Sequence, residues 1–188
     1  MEQHHYFFAA KLPDTAKEFL DKWVENNRNT YPFQRWVHPS DYHITLAFLG
    51  FARDDLLQKA IEGVKNIATE ESSFFLEFNK IGTFGAKDSP RIFWADVIHS
   101  ERLFQMQKKV YNLCIDTGFS LDKKPFRPHI TLARKWMGNE VFDANSLKKL
   151  SSTDAILFRF PIKEIVLYET HINEIPKYKE FAIFPLKS

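Results

Sequence analysis

The pentapeptide His-Ile-Thr-Leu-Ala occurs twice in this 188-residue chain, at His43–Ala47 and at His129–Ala133. A five-residue identity in so short a sequence points to a duplicated structural unit. In extended backbone, successive side chains face opposite ways, so His and Thr share one face of a strand while Ile and Leu share the other. Each copy therefore buries Ile44 and Leu46, or Ile130 and Leu132, and offers His43 with Thr45, or His129 with Thr131, to the opposite side. Two imidazoles and two hydroxyls meet the needs of metal-free acid–base chemistry on a phosphate.

The repeat reaches beyond the motif. The two histidines are 86 residues apart, and other elements recur near that offset. Tyr6–Ala10 reads as a buried strand, and Pro13 and Asp14 suit the start of a helix whose apolar stripe is Ala16, Phe19, Leu20, Trp23 and Val24. In the second half, Arg91–Ile98 alternates as a strand. A helix carrying Leu103, Met106, Val110, Leu113 and Cys114 follows and stops at Gly118. After each motif strand comes a helix, Asp54–Ala68 and a shorter one near Ser146–Leu150, and then a strand, Phe74–Ile81 and Lys163–Glu169. Lys179–Phe184 supplies a last strand. These elements describe one bilobal domain over residues 1–188, with pseudo-repeat halves of approximately 1–85 and 90–188. A pseudo-two-fold axis between two such units makes equivalent strands face one cleft, which brings His43 and His129 together. The Gly82, Gly85, Asp88, Ser89, Pro90 stretch reads as the linker between lobes, and Asn139–Asn145 as a loop after the second motif.

Composition narrows the partners. The chain is 44% hydrophobic and 27% charged, with 19 Phe that are mostly expected in the core. Its net charge of +2 is too small to make the whole surface attractive to nucleic acid. Basic character is local: Lys123, Lys124, Arg127, Arg134 and Lys135 stand against Asp122 alone around the second motif, a candidate phosphate-binding segment. The single cysteine, Cys114, falls on the apolar side of its helix and is expected to be a buried, inert thiol. No apolar run approaches a membrane span and the N-terminus has no hydrophobic signal, so a cytoplasmic protein without membrane partners is expected.

Two other chemistries fit poorly. Zinc sites use three or four ligands, commonly at short spacing, and neither motif has a carboxylate or second histidine at i+2 or i+4. His4, His5, His38, His99 and His171 form no recognisable ligand spacing, and His4 and His5 read as solvated, so no metal is expected. No Gly-x-Ser-x-Gly elbow is present to activate a nucleophile. A histidine pair acting as general acid and base is simpler, because imidazole titrates near neutrality.

Two His-x-Thr-x tetrapeptides in a duplicated chain of strands and helices resemble the two-histidine phosphoesterase superfamily. More closely, Phe7–Pro13 (FFAAKLP), His43–Gly50 (HITLAFLG), Pro90–Val97 (PRIFWADV), Pro125–Arg134 (PFRPHITLAR) and Ile165–Thr170 (IVLYET) are similar to the bacterial and archaeal RNA 2′,3′-cyclic phosphodiesterases, formerly described as 2′-5′ RNA ligases. The resemblance implies an α+β bilobal fold with mainly antiparallel sheets around a central cleft. It also implies metal-independent, cofactor-free opening of 2′,3′-cyclic phosphate ends of RNA to a 2′-phosphomonoester, without an obligate protein partner. It carries over His43 as proton donor, His129 as proton acceptor, Thr45 and Thr131 as phosphate hydrogen-bond donors, and Arg134 as a further phosphate-binding residue. The basic neighbours of His129 agree with a neutral imidazole there. Strict alternation puts Arg134 out of phase with His129 and Thr131, so it reaches the cleft only where the strand bends. Trp36, Tyr42, Phe48, Phe84 and Phe126 are candidates for base stacking. A phosphodiesterase for a small cyclic nucleotide and a non-catalytic RNA-binding module are the other function classes such a cleft allows. His171 matches no motif.

Overall fold

Strand β1 (His5–Lys11) lies inside a four-stranded sheet with β3 (His43–Phe51), β8 (Glu164–Thr170) and β9 (Tyr178–Pro185), in the order β3-β1-β8-β9. A five-stranded sheet contains β2 (Phe33–Trp36), β4 (Phe74–Gly85), β5 (Pro90–Val97), β6 (Ile130–Trp136) and β7 (Arg159–Ile162), in the order β2-β6-β5-β4-β7. Every strand pairing within them is antiparallel. The computed structural model describes residues 4–150 and 158–188. Among the described residues, four α-helices complete the α+β architecture: α1 (Asp14–Asn27), α2 (Asp54–Glu70), α3 (Glu101–Thr117) and α4 (Ala144–Leu150). Among the described residues, no helix is long and apolar enough to cross a membrane.

The helices form where stripes and caps agree. In α3, Ser100 caps the N-terminus by accepting the Leu103 amide at 3.3 Å, and Leu103, Met106, Val110 and Cys114 are its buried stripe. The chain leaves α3 at Gly118, whose φ of 114° is the left-handed conformation that ends helices and that glycine adopts without a Cβ penalty. Cys114 is fully buried, and that burial pushes its thiol up to about 12. Helix α1 packs its aromatic stripe on the larger sheet, stacking Phe19 against Phe158 at 4.5 Å and Phe78 at 5.5 Å. Helices α2 and α3 pack on each other and over the smaller sheet.

The two sequence halves interlock. β1 sits between β3 of its own half and β8 of the other, and β5 sits between β6 of its own half and β4 of the other. The first helix of each half crosses as well: α1 leaves β1 and covers the larger sheet, whereas α3 leaves β5 and packs on β3. Each sheet thus draws strands from both halves. The stretch from Gly82 to Pro90 does not join two lobes. It ends β4, turns and begins β5 in a hairpin of one sheet. Gly82 lies within β4 under the Trp94 ring, where a Cβ would come within 2.2 Å of ring carbons, so close packing requires the glycine. Strands β2 and β7 were not anticipated. Both have four residues and borrow their pairing from distant strands, which leaves little local alternation to read.

Candidate active site

The motif strands β3 and β6 approach each other at the seam between the sheets. Each carries a β-bulge at the same place in the pentapeptide. On β3, Phe8 pairs with Ala47 and Ala9 with Thr45, leaving Leu46 as the extra residue. On β6, Phe93 pairs with Ala133 and Trp94 with Thr131, leaving Leu132 as the extra residue. A bulge resets the alternation by one position. Leu46 and Ala47 are therefore both buried, as are Leu132 and Ala133, and the following residues Phe48 and Arg134 swing to the face already held by His and Thr. This is the bend that Arg134 needs. The bulged carbonyls lie outside the regular ladder and each has another partner: Gln107 of α3 donates its side-chain amide to Leu46 O at 3.2 Å, and the Val37 amide donates to Leu132 O at 2.9 Å.

The two imidazoles are oriented alike. His43 Nδ1 donates to the carbonyl of Asp41 at 2.6 Å, and His129 Nδ1 donates to the carbonyl of Arg127 at 2.8 Å. In both cases the acceptor is two residues upstream, and the bond leaves Nε2 as the nitrogen available for chemistry. His43 Nε2 lies 3.1 Å from Thr45 Oγ1. A cavity of about 290 Å³ is lined by His43, Thr45, His129, Thr131 and Arg134, together with Phe7, Phe48, Asp41 and Tyr178. All five residues singled out as a site in the sequence therefore meet in one place.

The surroundings of the pair were less legible. His43 is packed among the rings of Phe7, Tyr178 and Tyr168, at centroid distances of 4.8, 5.2 and 5.8 Å. His129 meets the edge of Phe84 at 5.0 Å. Burial pushes the His43 imidazole down to about 4, with the charges of His129, Lys17 and Arg134 acting the same way and the Asp41 carbonyl opposing them. Burial also holds His129 below its ordinary value, again against its carbonyl bond and together with Arg134. Arg134 thus acts on both histidines, and Lys123, Lys124 and Arg127 do not separate them as their closeness in sequence implied. Lys124 instead pairs with Asp122 at 3.1 Å.

Asp41 was missed. It is 5% exposed, and its carboxylate accepts the amides of Lys177 at 2.9 Å and Tyr178 at 3.1 Å. It fastens the start of β9 to the turn that carries the His43 acceptor. An aspartate two residues before a motif histidine is the one local signal that was available.

A larger cavity, about 790 Å³, adjoins the first and shares Thr45, Phe48 and His129 with it. Phe84, Phe126, Lys124 and Arg127 also line it. Among the aromatic candidates, Phe48 is 53% exposed and faces both cavities, whereas Tyr42 is core at 1%. Trp36 is half-buried against Phe33 and Phe93, so it belongs to packing.

Known proteins are similar to this chain in sequence and in fold. A family model of the 2′-5′ RNA ligase superfamily matches residues 12–174. The RNA 2′,3′-cyclic phosphodiesterase of Geobacillus stearothermophilus is 40% identical over 186 residues, which cover 99% of this chain and 58% of that protein. This chain therefore spans a little over half the length of that relative. The RNA 2′,3′-cyclic phosphodiesterase of Bacillus subtilis (strain 168) is 33% identical over 182 residues, covering 97% of this chain and 96% of that protein. In overall fold, the chain is similar to E. coli LigT crystallised with 3′-AMP, at a TM-score of 0.78 and 21% identity over the full length of both. TT0787 of Thermus thermophilus gives a TM-score of 0.77 at 22% identity, covering 98% of each chain. With the family model spanning both motif strands and the two-histidine phosphoesterase fold formed around them, this chain belongs to the 2′-5′ RNA ligase superfamily.

Proposed function

We propose that this chain is an RNA 2′,3′-cyclic phosphodiesterase that hydrolyses the cyclic phosphate at an RNA end to a 2′-phosphomonoester, using His43 and His129 without a metal or organic cofactor. The observation that carries the reading is the mirrored pair of His Nδ1 bonds to upstream carbonyls, which leaves two Nε2 atoms for one cavity. The naming of the relatives as RNA 2′,3′-cyclic phosphodiesterases supports the reaction class.

In this mechanism His129 Nε2 takes a proton from water as the oxygen attacks phosphorus. Protonated His43 gives its Nε2 proton to O3′ as the P–O3′ bond breaks. Each transfer contributes on the order of 10²–10⁴-fold. The Thr45 and Thr131 hydroxyls donate to the non-bridging oxygens, and the Arg134 guanidinium offsets their charge. Both imidazoles sit below their ordinary value in the free protein, so His43 acquires its proton together with the phosphate anion, which favours imidazolium. Donor and acceptor roles rest on the family resemblance, since burial dominates at both histidines.

The larger cavity favours RNA over a mononucleotide, because Phe48 offers an open ring and Lys124 and Arg127 offer charge beyond the scissile phosphate. The test is metal-free turnover of a 2′,3′-cyclic-phosphate-ended oligonucleotide. His43→Ala and His129→Ala should each cost about 10²-fold or more, and the double variant little beyond the worse single. A single variant with near-wild-type turnover would sink the mechanism. With O3′ replaced by sulfur, His43→Ala should be substantially rescued and His129→Ala should not; the reverse pattern exchanges the roles. Phe48→Ala should raise KM for the oligonucleotide more than for a cyclic mononucleotide, and equal effects on both would favour the mononucleotide as substrate.

A further inference from the structure

Beside the cleft, three side chains without a part in the proposed reaction converge. Antiparallel pairing sets Tyr6 of β1 opposite Glu169 of β8, so the residues flanking those strand ends, His4 and His171, become neighbours although 167 positions separate them. Their rings lie 4.3 Å apart between centroids. One ligand atom from each of His4, Glu169 and His171 can be chosen so that all lie within 4.8 Å of one another. His171 and Glu169 are only 15% and 17% exposed.

What sets this group apart from a chance cluster is how its remaining atoms are held. His4 Nδ1 donates to Thr170 O at 3.1 Å and leaves Nε2 free. His171 Nδ1 lies 3.3 Å from Glu174 Oε1 and leaves Nε2 toward Glu169 Oε1, at 2.6 Å. The other oxygen of Glu169 accepts the Tyr6 hydroxyl at 2.7 Å. Each candidate ligand thus has a further polar partner beside it, as ligands in metal sites do. Burial alone would raise the Glu169 carboxyl, but the bonds from Tyr6 and His171 outweigh it and keep it below the usual carboxylate range.

We propose that His4, Glu169 and His171 bind one divalent transition-metal ion, zinc being the best match. Two imidazole nitrogens and one carboxylate oxygen suit Zn²⁺, with water in the fourth position, and do not suit the all-oxygen preferences of Mg²⁺ or Ca²⁺. Binding replaces the short His171–Glu169 contact with two metal bonds. The role is structural, and none of the three side chains takes part in the proposed hydrolysis. The site lies beside Tyr6, the neighbour of Phe7, whose ring is 4.8 Å from that of His43, but His4, Glu169 and His171 do not line the cavity of the two histidines. The ion would tie the entry of β1 to the loop after β8, which is closed by the His171 amide on Lys177 O at 2.7 Å and ends on the Asp41 carboxylate.

The experiment is titration of chelator-stripped protein with ZnCl₂, read by native mass and by thermal unfolding, with Co²⁺ replacing Zn²⁺ for visible absorption. One ion per chain, a raised Tm and a ligand-field band are expected. His4→Ala and His171→Ala should each weaken binding about 100-fold or more, and Tyr6→Phe and Glu174→Gln about 10- to 100-fold. Absence of stoichiometric zinc overturns the proposal. So does zinc bound with unchanged affinity by both His4→Ala and His171→Ala, because other histidines would then hold it.

Discussion

Asp41 holds His43 through two different atoms: its backbone carbonyl accepts the imidazole Nδ1–H at 2.6 Å, while its buried carboxylate is held by the amides of Lys177 and Tyr178. The carboxylate anchors the turn, and the turn aims the ring. Asp41→Ala should remove two charge-assisted hydrogen bonds, each worth about 1.5–3 kcal/mol, and lower stability accordingly. It should also reduce kcat by roughly tenfold or more with a smaller effect on KM, because the substrate is not touched directly. Thermal unfolding and steady-state kinetics of the variant check both; wild-type kcat would remove the positioning role.

Arg134 and the lysines upstream should behave differently. Arg134 lines the cavity of the two histidines because Leu132 is bulged, and there it would face the phosphate of the proposed substrate. Arg134→Ala should therefore depress turnover of every cyclic-phosphate substrate, mononucleotide included. Lys124→Ala should act mainly on longer RNA and flatten the salt dependence of its binding, since Lys124 is exposed and lines only the larger cavity. Lys123→Ala should follow Lys124→Ala. Kinetics with both substrate lengths across a salt series decide, and equal effects of the three variants on the mononucleotide would contradict the division.

The pH dependence follows from burial of the imidazoles. In the free protein His43 is lowered from 6.5 to about 4 and His129 is lowered as well, so the bell of kcat/KM should lie on the acid side of 6.5. A bound phosphate anion raises both values, and the bell of kcat should be displaced to higher pH. Stability has its own sign. Unfolded His43 takes up a proton near 6.5 and the folded one only near 4, so folding loses stability as pH falls through that interval. The loss should be on the order of 2 kcal/mol after screening at the open edge of the site. His43→Gln should flatten this limb in urea unfolding curves measured at several pH values.

Neither half of the sequence should fold alone. Residues 1–86 would carry β4 without its β5 and β7 partners, and β1 without β8. Residues 87–188 would carry β8 without β1, and α3 without the β3 surface that it covers. Each fragment should show little cooperative unfolding, while the two mixed should recover it. A half with its own sharp thermal transition would argue for two separable units.

Much of this architecture is local and was readable. The helix stripes, the stop at Gly118, the continuous apolar run of β1 and the alternation in β3 and β5 are carried by neighbouring residues whose side-chain period follows backbone geometry. The duplicated pentapeptide supplied four of the five candidate site residues, because His and Thr at i and i+2 must share a face before any tertiary contact forms. Its Leu-Ala ending also marked the bulges, but only in retrospect, since a bulge exists only against a partner strand. Arg134 entered the site through that partner. The exchange of strands between halves depends on which distant edges pair, and β2 and β7 owe their existence to those pairings. Desolvation of His43 comes from Phe7, Tyr168 and Tyr178, drawn from both ends of the chain. The convergence of His4 with His171 and the grip of Asp41 on Lys177 and Tyr178 are likewise long-range contacts. The sequence alone determined which polar groups are candidates for chemistry and which faces they share. Only the tertiary structure decided how they are aimed, buried and charged, because solvent exclusion and electrostatic neighbours are set by residues far apart in the chain.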